Sequence, residues 1–297
     1  MSDKENLRGC KGGPYMREKY YINSRGDRIN LDRWPYRIKN INMQGWEWDY
    51  DAANMGNVGG KIQRIFRNVK EFEITVTVCT QSGGPQQRLT DLKNLYEGLE
   101  YDAAVGAVGK FYIGQEYMQC IFTESHKTTN KDIPNALDVK YTVVSPYPMW
   151  CHEEEVDFYE YQSQINENGL NYPYNYPYNY TADLAQNYLE NTNYRANDFK
   201  MTIFGPINNP SILIGSTTYT IVAEISTGEY AVINSSDKEA YKVGNNGVIT
   251  NLFNSRSRDQ SIFTKIPSGK NQVIYSGAFA FSITLFHERS EPDWTLY

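Results

Sequence analysis

Phe72-Glu-Ile-Thr-Val-Thr-Val-Cys79 and the segment that follows it decide the fold. Phe72, Ile74, Val76 and Val78 alternate with Glu73, Thr75 and Thr77, so every second side chain is apolar and most are β-branched. Successive side chains of a strand point to opposite faces, and the stretch predicts a half-buried strand. Gln81-Ser-Gly-Gly-Pro85 breaks it. Leu89, Leu92, Tyr96 and Leu99 then recur at spacings of three and four, predicting a helix over about 86–99, with Arg88, Asp91, Lys93 and Glu97 on its other face. A lone amphipathic helix amid strands packs on a sheet.

Downstream, strands are predicted at Gly109–Ile113, Tyr117–Thr123 and Asp138–Val144, with the polar stretch Glu124–Asn135 as a loop. Ser145-Pro-Tyr-Pro148 opposes further sheet pairing, so a domain boundary is expected near Trp150, dividing the chain into 1–150 and 151–297. Upstream, the polar tract to Tyr15 reads as an arm or a contact with a neighbour, and Gly56-Asn-Val-Gly-Gly60 as a turn between strands.

Asn171-Tyr-Pro-Tyr-Asn-Tyr-Pro-Tyr-Asn-Tyr180 repeats the unit Asn-Tyr-Pro-Tyr. Its prolines exclude helix and weaken any strand, leaving an extended ribbon whose rings lie on a surface. From Phe199 short strands follow one another: Phe199–Phe204, Ser211–Ile214, Tyr219–Ala223, Tyr230–Asn234, Ala240–Val243, Gln272–Tyr275 and Phe279–Phe286. Glycine and asparagine turns separate them, a pattern that predicts a β-sandwich. In the last strand Phe279, Phe281, Ile283 and Leu285 form the inward row.

The composition narrows the function. With 29 basic against 35 acidic residues and a net charge of −6, no basic surplus marks a nucleic-acid binder. The 25 tyrosines favour strands and contact surfaces. The four cysteines (10, 79, 120 and 151) form no Cys-x-x-Cys and are read as free, mostly buried thiols. The charged start carries no secretory leader, and no apolar run is long enough to span a membrane.

No catalytic, cofactor or metal set emerges. His126, His152 and His287 stand apart and read as surface or interface residues. No Gly-x-Ser-x-Gly, P-loop or dinucleotide fingerprint occurs. Glu153, Glu154, Glu155 and Asp157 read as solvated linker charge, because consecutive strand residues cannot share a face as an acid–base pair. Lys61, Arg64, Arg67 and Lys70, three apart, would form one stripe on a helix but alternate on a strand. They are candidates for an intersubunit charge contact or a ring lumen.

Several stretches carry a resemblance. Ser261-Ile-Phe-Thr-Lys-Ile-Pro-Ser-Gly269, then Tyr275-Ser-Gly-Ala-Phe-Ala-Phe-Ser-Ile-Thr-Leu-Phe-His-Glu-Arg-Ser-Glu-Pro-Asp-Trp294, is similar to the C-terminal region of the distal tail protein (Dit) family of long-tailed siphophages. Asp198-Phe-Lys-Met-Thr-Ile-Phe-Gly-Pro-Ile-Asn-Asn-Pro210 also matches, and Phe72–Val78 with its helix fits that family's N-terminal domain. The resemblance implies a mainly β chain: an α+β ring domain with one helix, then a galectin-like β-sandwich. It implies a non-enzymatic hexameric hub ring at the virion tail tip, assembled in the host cytoplasm. Its partners would be the tail tube protein, the tail-tip hub protein, the tape measure protein and receptor-binding proteins. DNA would only pass through the lumen, with no cofactor and no membrane insertion. Two other readings stand beside it. One is a carbohydrate-binding module stacking sugars on Tyr174, Tyr176 and Tyr178. The other is a tail-associated hydrolase, resting only on scattered carboxylates.

Overall fold

The computed structural model describes residues 17–43, 45–56, 59–79, 84–130, 136–160, 188–257 and 259–293. They fold as a mainly β chain with one α-helix and divide into two compact units: residues up to His152 together with Glu288 onward, and Glu153–His287. The Tyr-Pro repeat, Cys10 and the N-terminal tract lie outside the described residues.

In the first unit the strands are β1 (Lys19–Ile22), β2 (Arg28–Asn30), β3 (Asp32–Arg33), β4 (Tyr36–Ile41), β5 (Asp49–Asn54), β6 (Gly60–Phe66) and β7 (Lys70–Val78). Helix α1 (Gly84–Val105) follows, then β8 (Gly109–Ile113), β9 (Glu116–Thr129), β10 (Leu137–Ser145) and the start of β11 (Trp150–Phe158). β7 sits centrally between β4 and β10, all antiparallel, and buries Phe72, Ile74, Val76 and Val78 as their alternation predicts. β9 serves three partners: its first residues pair with β8 on one side and with the start of β11 on the other, and the rest pair with β10. The polar segment Glu124–Thr129, expected as a loop, is therefore strand. Both its faces are wet, so no hydrophobic period marks it, and the β10 ladder holds it.

The helix is present but turned from its predicted face. Leu89 and Tyr96 are exposed, while Asp91, Leu95, Gly98, Leu99 and Asp102 are buried. Asp102 can be buried because it is partnered: the Tyr21 hydroxyl donates to Oδ2, and the Ser24 amide donates to Oδ1 at 2.8 Å. Gly98 lets Ile29 pack close against the helix, since a Cβ there would displace the end of the Ile29 side chain. The Tyr36 hydroxyl donates to the Asp91 carbonyl at 2.8 Å, and such long-range partners set the docking face, against the leucine spacing.

A buried clasp closes this unit. Arg17 Nη1 lies 3.1 Å from Glu116 Oε2, with side-chain exposures of 11% and 6%. The Asp293 amide donates to both Glu116 oxygens, at 3.1 and 2.9 Å, and Arg17 Nη2 donates to the Asp293 carbonyl at 3.0 Å.

In the second unit β12 (Tyr188–Asn191), β13 (Asp198–Phe204), β14 (Ile207–Asn208), β15 (Ser211–Ile214), β16 (Thr217–Thr220), β17 (Glu224–Ile225), β18 (Tyr230–Asn234), β19 (Glu239–Val243), β20 (Ile249–Asn251), β21 (Gly269–Ile274) and β22 (Phe281–Arg289) follow in order. One sheet runs β20-β19-β18-β13-β22-β11 and the other β12-β21-β15-β16. Phe199, Met201, Ile203, Phe281, Ile283 and Leu285 from the first share one core with Leu189, Ile212, Ile214, Tyr219 and Val273 from the second. This is the sandwich that the strand spacing predicts. Glu153, Glu154, Glu155 and Asp157, expected as linker, belong to strand β11 and alternate between exposed and half-buried.

His287 corrects the surface reading of the histidines: it is buried, at 4% exposure. Its tautomer follows from the backbone. Asn191 Nδ2 faces the carbonyls of Arg195 and Ile266 and must donate, so its Oδ1 accepts, from the Asn193 amide and Asn197 Nδ2. The second Asn197 Nδ2 proton then faces His287 Nδ1 at 3.0 Å, which must accept. The ring proton is left on Nε2, 2.9 Å from Glu154 Oε2.

Candidate interaction surface

β5 and β6 form a two-stranded ribbon joined at Met55–Gly59, where the Met55 amide donates to Gly59 O at 2.7 Å. Gly56 and Gly59 take positive φ of 65° and 99°, which the tight reversal needs. The ribbon ladders with no further strand among the described residues. Its register sorts the side chains. Tyr50 faces Ile65 and Ala52 faces Ile62, giving an apolar face; Asp49, Asp51 and Ala53 face Phe66, Arg64 and Lys61, giving a charged one. The partner step from Arg64 to Ile62 leaves Gln63 as a bulge. Without that extra residue Lys61 and Arg64 would fall on opposite faces; with it, both join the charged face.

The apolar face is open. Tyr50 is 65% exposed, Ile62 57% and Ile65 58%, and Trp46, Trp48, Met55 and Val69, close to them in the sequence, are exposed as well. Scattered surface apolar residues are ordinary, but a contiguous set of large ones marks an interaction surface. A lone hairpin is also marginal in water, so it needs either a partner or a firm root.

The root is firm. The Arg67 guanidinium stacks 4.2 Å from the Trp48 ring centroid, donates to Pro148 O at 2.7 Å and donates to the Ser290 hydroxyl. Lys70 pairs with Glu47 at 3.2 Å and lies over the Phe72 ring, and Asn68 donates to Asp49 at 2.9 Å. The four spaced cations therefore divide. Lys61 and Arg64 lie on the ribbon, where Arg64 pairs with Asp51 at 3.2 Å; Arg67 and Lys70 fix its base. Tyr174, Tyr176 and Tyr178 lie outside the described residues. The aromatic members of the surface went unassigned in the sequence, although Trp46-Glu-Trp-Asp-Tyr-Asp51 alternates aromatic and acidic residues with a strand's period. Among the described residues no group of three His, Cys, Asp or Glu side chains is placed to hold a metal.

The fold defines a class: a mainly β chain of two compact units, one of which carries a single helix and a protruding amphipathic ribbon. Solved structures share the fold. The crystal structure of Dit from phage SPP1, described as a paradigm of the hub adsorption apparatus of phages infecting Gram-positive bacteria, matches with a TM-score of 0.60 at 11% identity, over 92% of this chain and 98% of that one. A chain of the phage P2 baseplate in its activated conformation with Ca matches with a TM-score of 0.60 at 12% identity, over 93% of this chain and 99% of that one. The Sr form of that baseplate matches with a TM-score of 0.58 at 13% identity, over 93% and 99% of the two chains. No protein-family model and no curated protein sequence matches the chain.

Proposed function

We propose that this chain is a distal tail protein of a siphophage: a structural subunit that closes into a hexameric hub ring at the virion tail tip. The likeness to SPP1 Dit over 92% of the chain carries this reading, and the open apolar ribbon supports it. A ring needs a heterologous contact, in which one surface of each copy meets a different surface of the next. A rooted ribbon with an apolar face suits that contact. On this reading the unit built on residues 1–150, with the stretch from Glu288, forms the ring, and the unit from Glu153 to His287 is a galectin-like outer domain. The ring joins the tail tube to the tail-tip hub protein, with the tape measure and receptor-binding proteins as neighbours. DNA passes through the lumen without being read, and the work is binding rather than turnover.

Negative-stain imaging and mass photometry of the purified chain test it. The expected particle has sixfold symmetry and six times the 34.2 kDa of one chain. A strict monomer, both alone and mixed with tail-tube and tail-tip proteins, would overturn the proposal.

A further inference from the structure

The second unit holds a cavity of about 620 Å³ lined by the segment that links β20 to β21 and by Lys238 in the turn between β18 and β19. That is within the size range of small-ligand sites. Arg256 and Lys238 both line it, and among the described residues neither pairs with a carboxylate. Arg256 is half-buried and held in place. Its guanidinium lies 3.7 Å from the Phe253 ring centroid and 5.9 Å from that of Phe263, the two rings stack with 23° between their planes, and Nη1 donates to Phe253 O at 3.1 Å. Asp259 is the one acidic lining residue, and it exchanges hydrogen bonds with Ser257. Two cations against one carboxylate leave the cavity net positive in a chain whose overall charge is −6. A guanidinium fixed on an aromatic stack with its charge uncompensated is prepared for an anion.

The rest of the lining narrows the anion. Gln260 Oε1 already accepts from the Thr218 amide at 2.6 Å, so its amide nitrogen is left as donor. Phe253 is 39% exposed and offers ring surface beside the charge. Hydroxyl-rich rings with one apolar C–H face fit such a mixture of aromatic surface and amide donors. A nucleic-acid track instead requires a row of cations along a groove, and here two cations line one hollow.

We propose that this cavity binds a phosphorylated saccharide, with Arg256 and Lys238 holding the phosphate and Phe253 and Gln260 the sugar. The site belongs to the second unit alone and does not depend on the hub reading.

Calorimetry with the full chain tests it, using glucose 1-phosphate, glucose, inorganic phosphate and a thymidine oligonucleotide as probes. Glucose 1-phosphate is expected to bind saturably and at least about tenfold more tightly than glucose or phosphate alone. Arg256→Ala is expected to weaken it by on the order of ten- to a hundredfold, the loss of one charge-assisted contact. Arg256→Lys, which keeps the charge but not the stacked fork, should not restore it fully. Phe253→Ala should narrow the gap between glucose 1-phosphate and phosphate. Thermal unfolding of each variant checks that the sandwich is intact. Absence of saturation by about 10 mM, wild-type affinity in Arg256→Ala, equal binding of bare phosphate, or tighter binding of the oligonucleotide would each overturn the proposal.

Discussion

On the proposed hub reading, placing charges on the apolar face of the ribbon should abolish ring closure while leaving the subunit folded. Ile62 and Ile65 lie on the same face, 57% and 58% exposed, with Tyr50 beside them at 65%. Full burial of a large apolar side chain gives about 1.5–3 kcal/mol, and roughly three-fifths of each remains to be buried, so docking these three gives about 3–5 kcal/mol per contact. Ile62→Asp with Ile65→Asp removes about two-thirds of that and adds the desolvation of two carboxylates. The loss is at least about 3 kcal/mol, on the order of a hundredfold in each subunit contact. Because neither side chain is in the core, the melting temperature of the subunit should barely move. Mass photometry across a concentration series reads the assembly, and calorimetry reads the fold. A hexamer that survives the double substitution at wild-type concentrations would refute the assignment of this face to the ring contact. Loss of the fold would refute the claim that the ribbon is held by its root alone.

Other outcomes follow from the packing. Glu116→Gln should destabilise the first unit by about 3–5 kcal/mol, since it removes the buried carboxylate charge that pairs with Arg17, and lower its unfolding temperature by roughly 10 °C; a Gln variant that melts like the wild type would show the pair to be idle. Alkaline pH should weaken the fold. Burial, and then the hydrogen bond to Asp102, raises the Tyr21 hydroxyl, burial raises those of Tyr141 and Tyr219, and burial together with the Asp91 charge pushes Tyr36 up to about 12. Unfolded tyrosines lose their protons near 10 while the folded ones keep theirs, so stability is complete below pH 10 and falls as pH rises toward 12; denaturant midpoints that stay level across that window would contradict this. Nitrogen NMR of the His287 ring should show a bare Nδ1 and a protonated Nε2 at neutral pH; Asn197→Asp should cost about 1–3 kcal/mol by setting two acceptors face to face, and the opposite tautomer in the wild type would break the chain of reasoning from Asn191.

What the sequence disclosed depended on whether a segment's two faces differ. Phe72–Val78 and Phe279–Leu285 each bury one row of side chains, so their period of two was visible, and so was the sandwich built from strands like them. Glu124–Thr129 and the ribbon from Asp49 to Phe66 have no core side. Their strand character is carried by ladder pairing and leaves little hydropathy pattern. In β11 the acidic run masks the alternation. The face of the helix was misjudged for another reason: the partners of Asp102, Tyr21 and Ser24, lie far away in the sequence and cannot be read from helical spacing. The cation spacing pointed at the ribbon, but the division of labour among the four depends on a single bulge and on the Trp48 ring.

Glu116 grips Arg17 and Asp293 with one carboxylate, and those two residues touch each other as well. The first and last described residues of the chain, Arg17 and Asp293, are therefore held side by side. A short bridge between these two positions would give a circular chain of the residues from 17 to 293, which could be reopened at an exposed reversal such as Asn245–Gly247. Such a circular permutant should reach the same native structure.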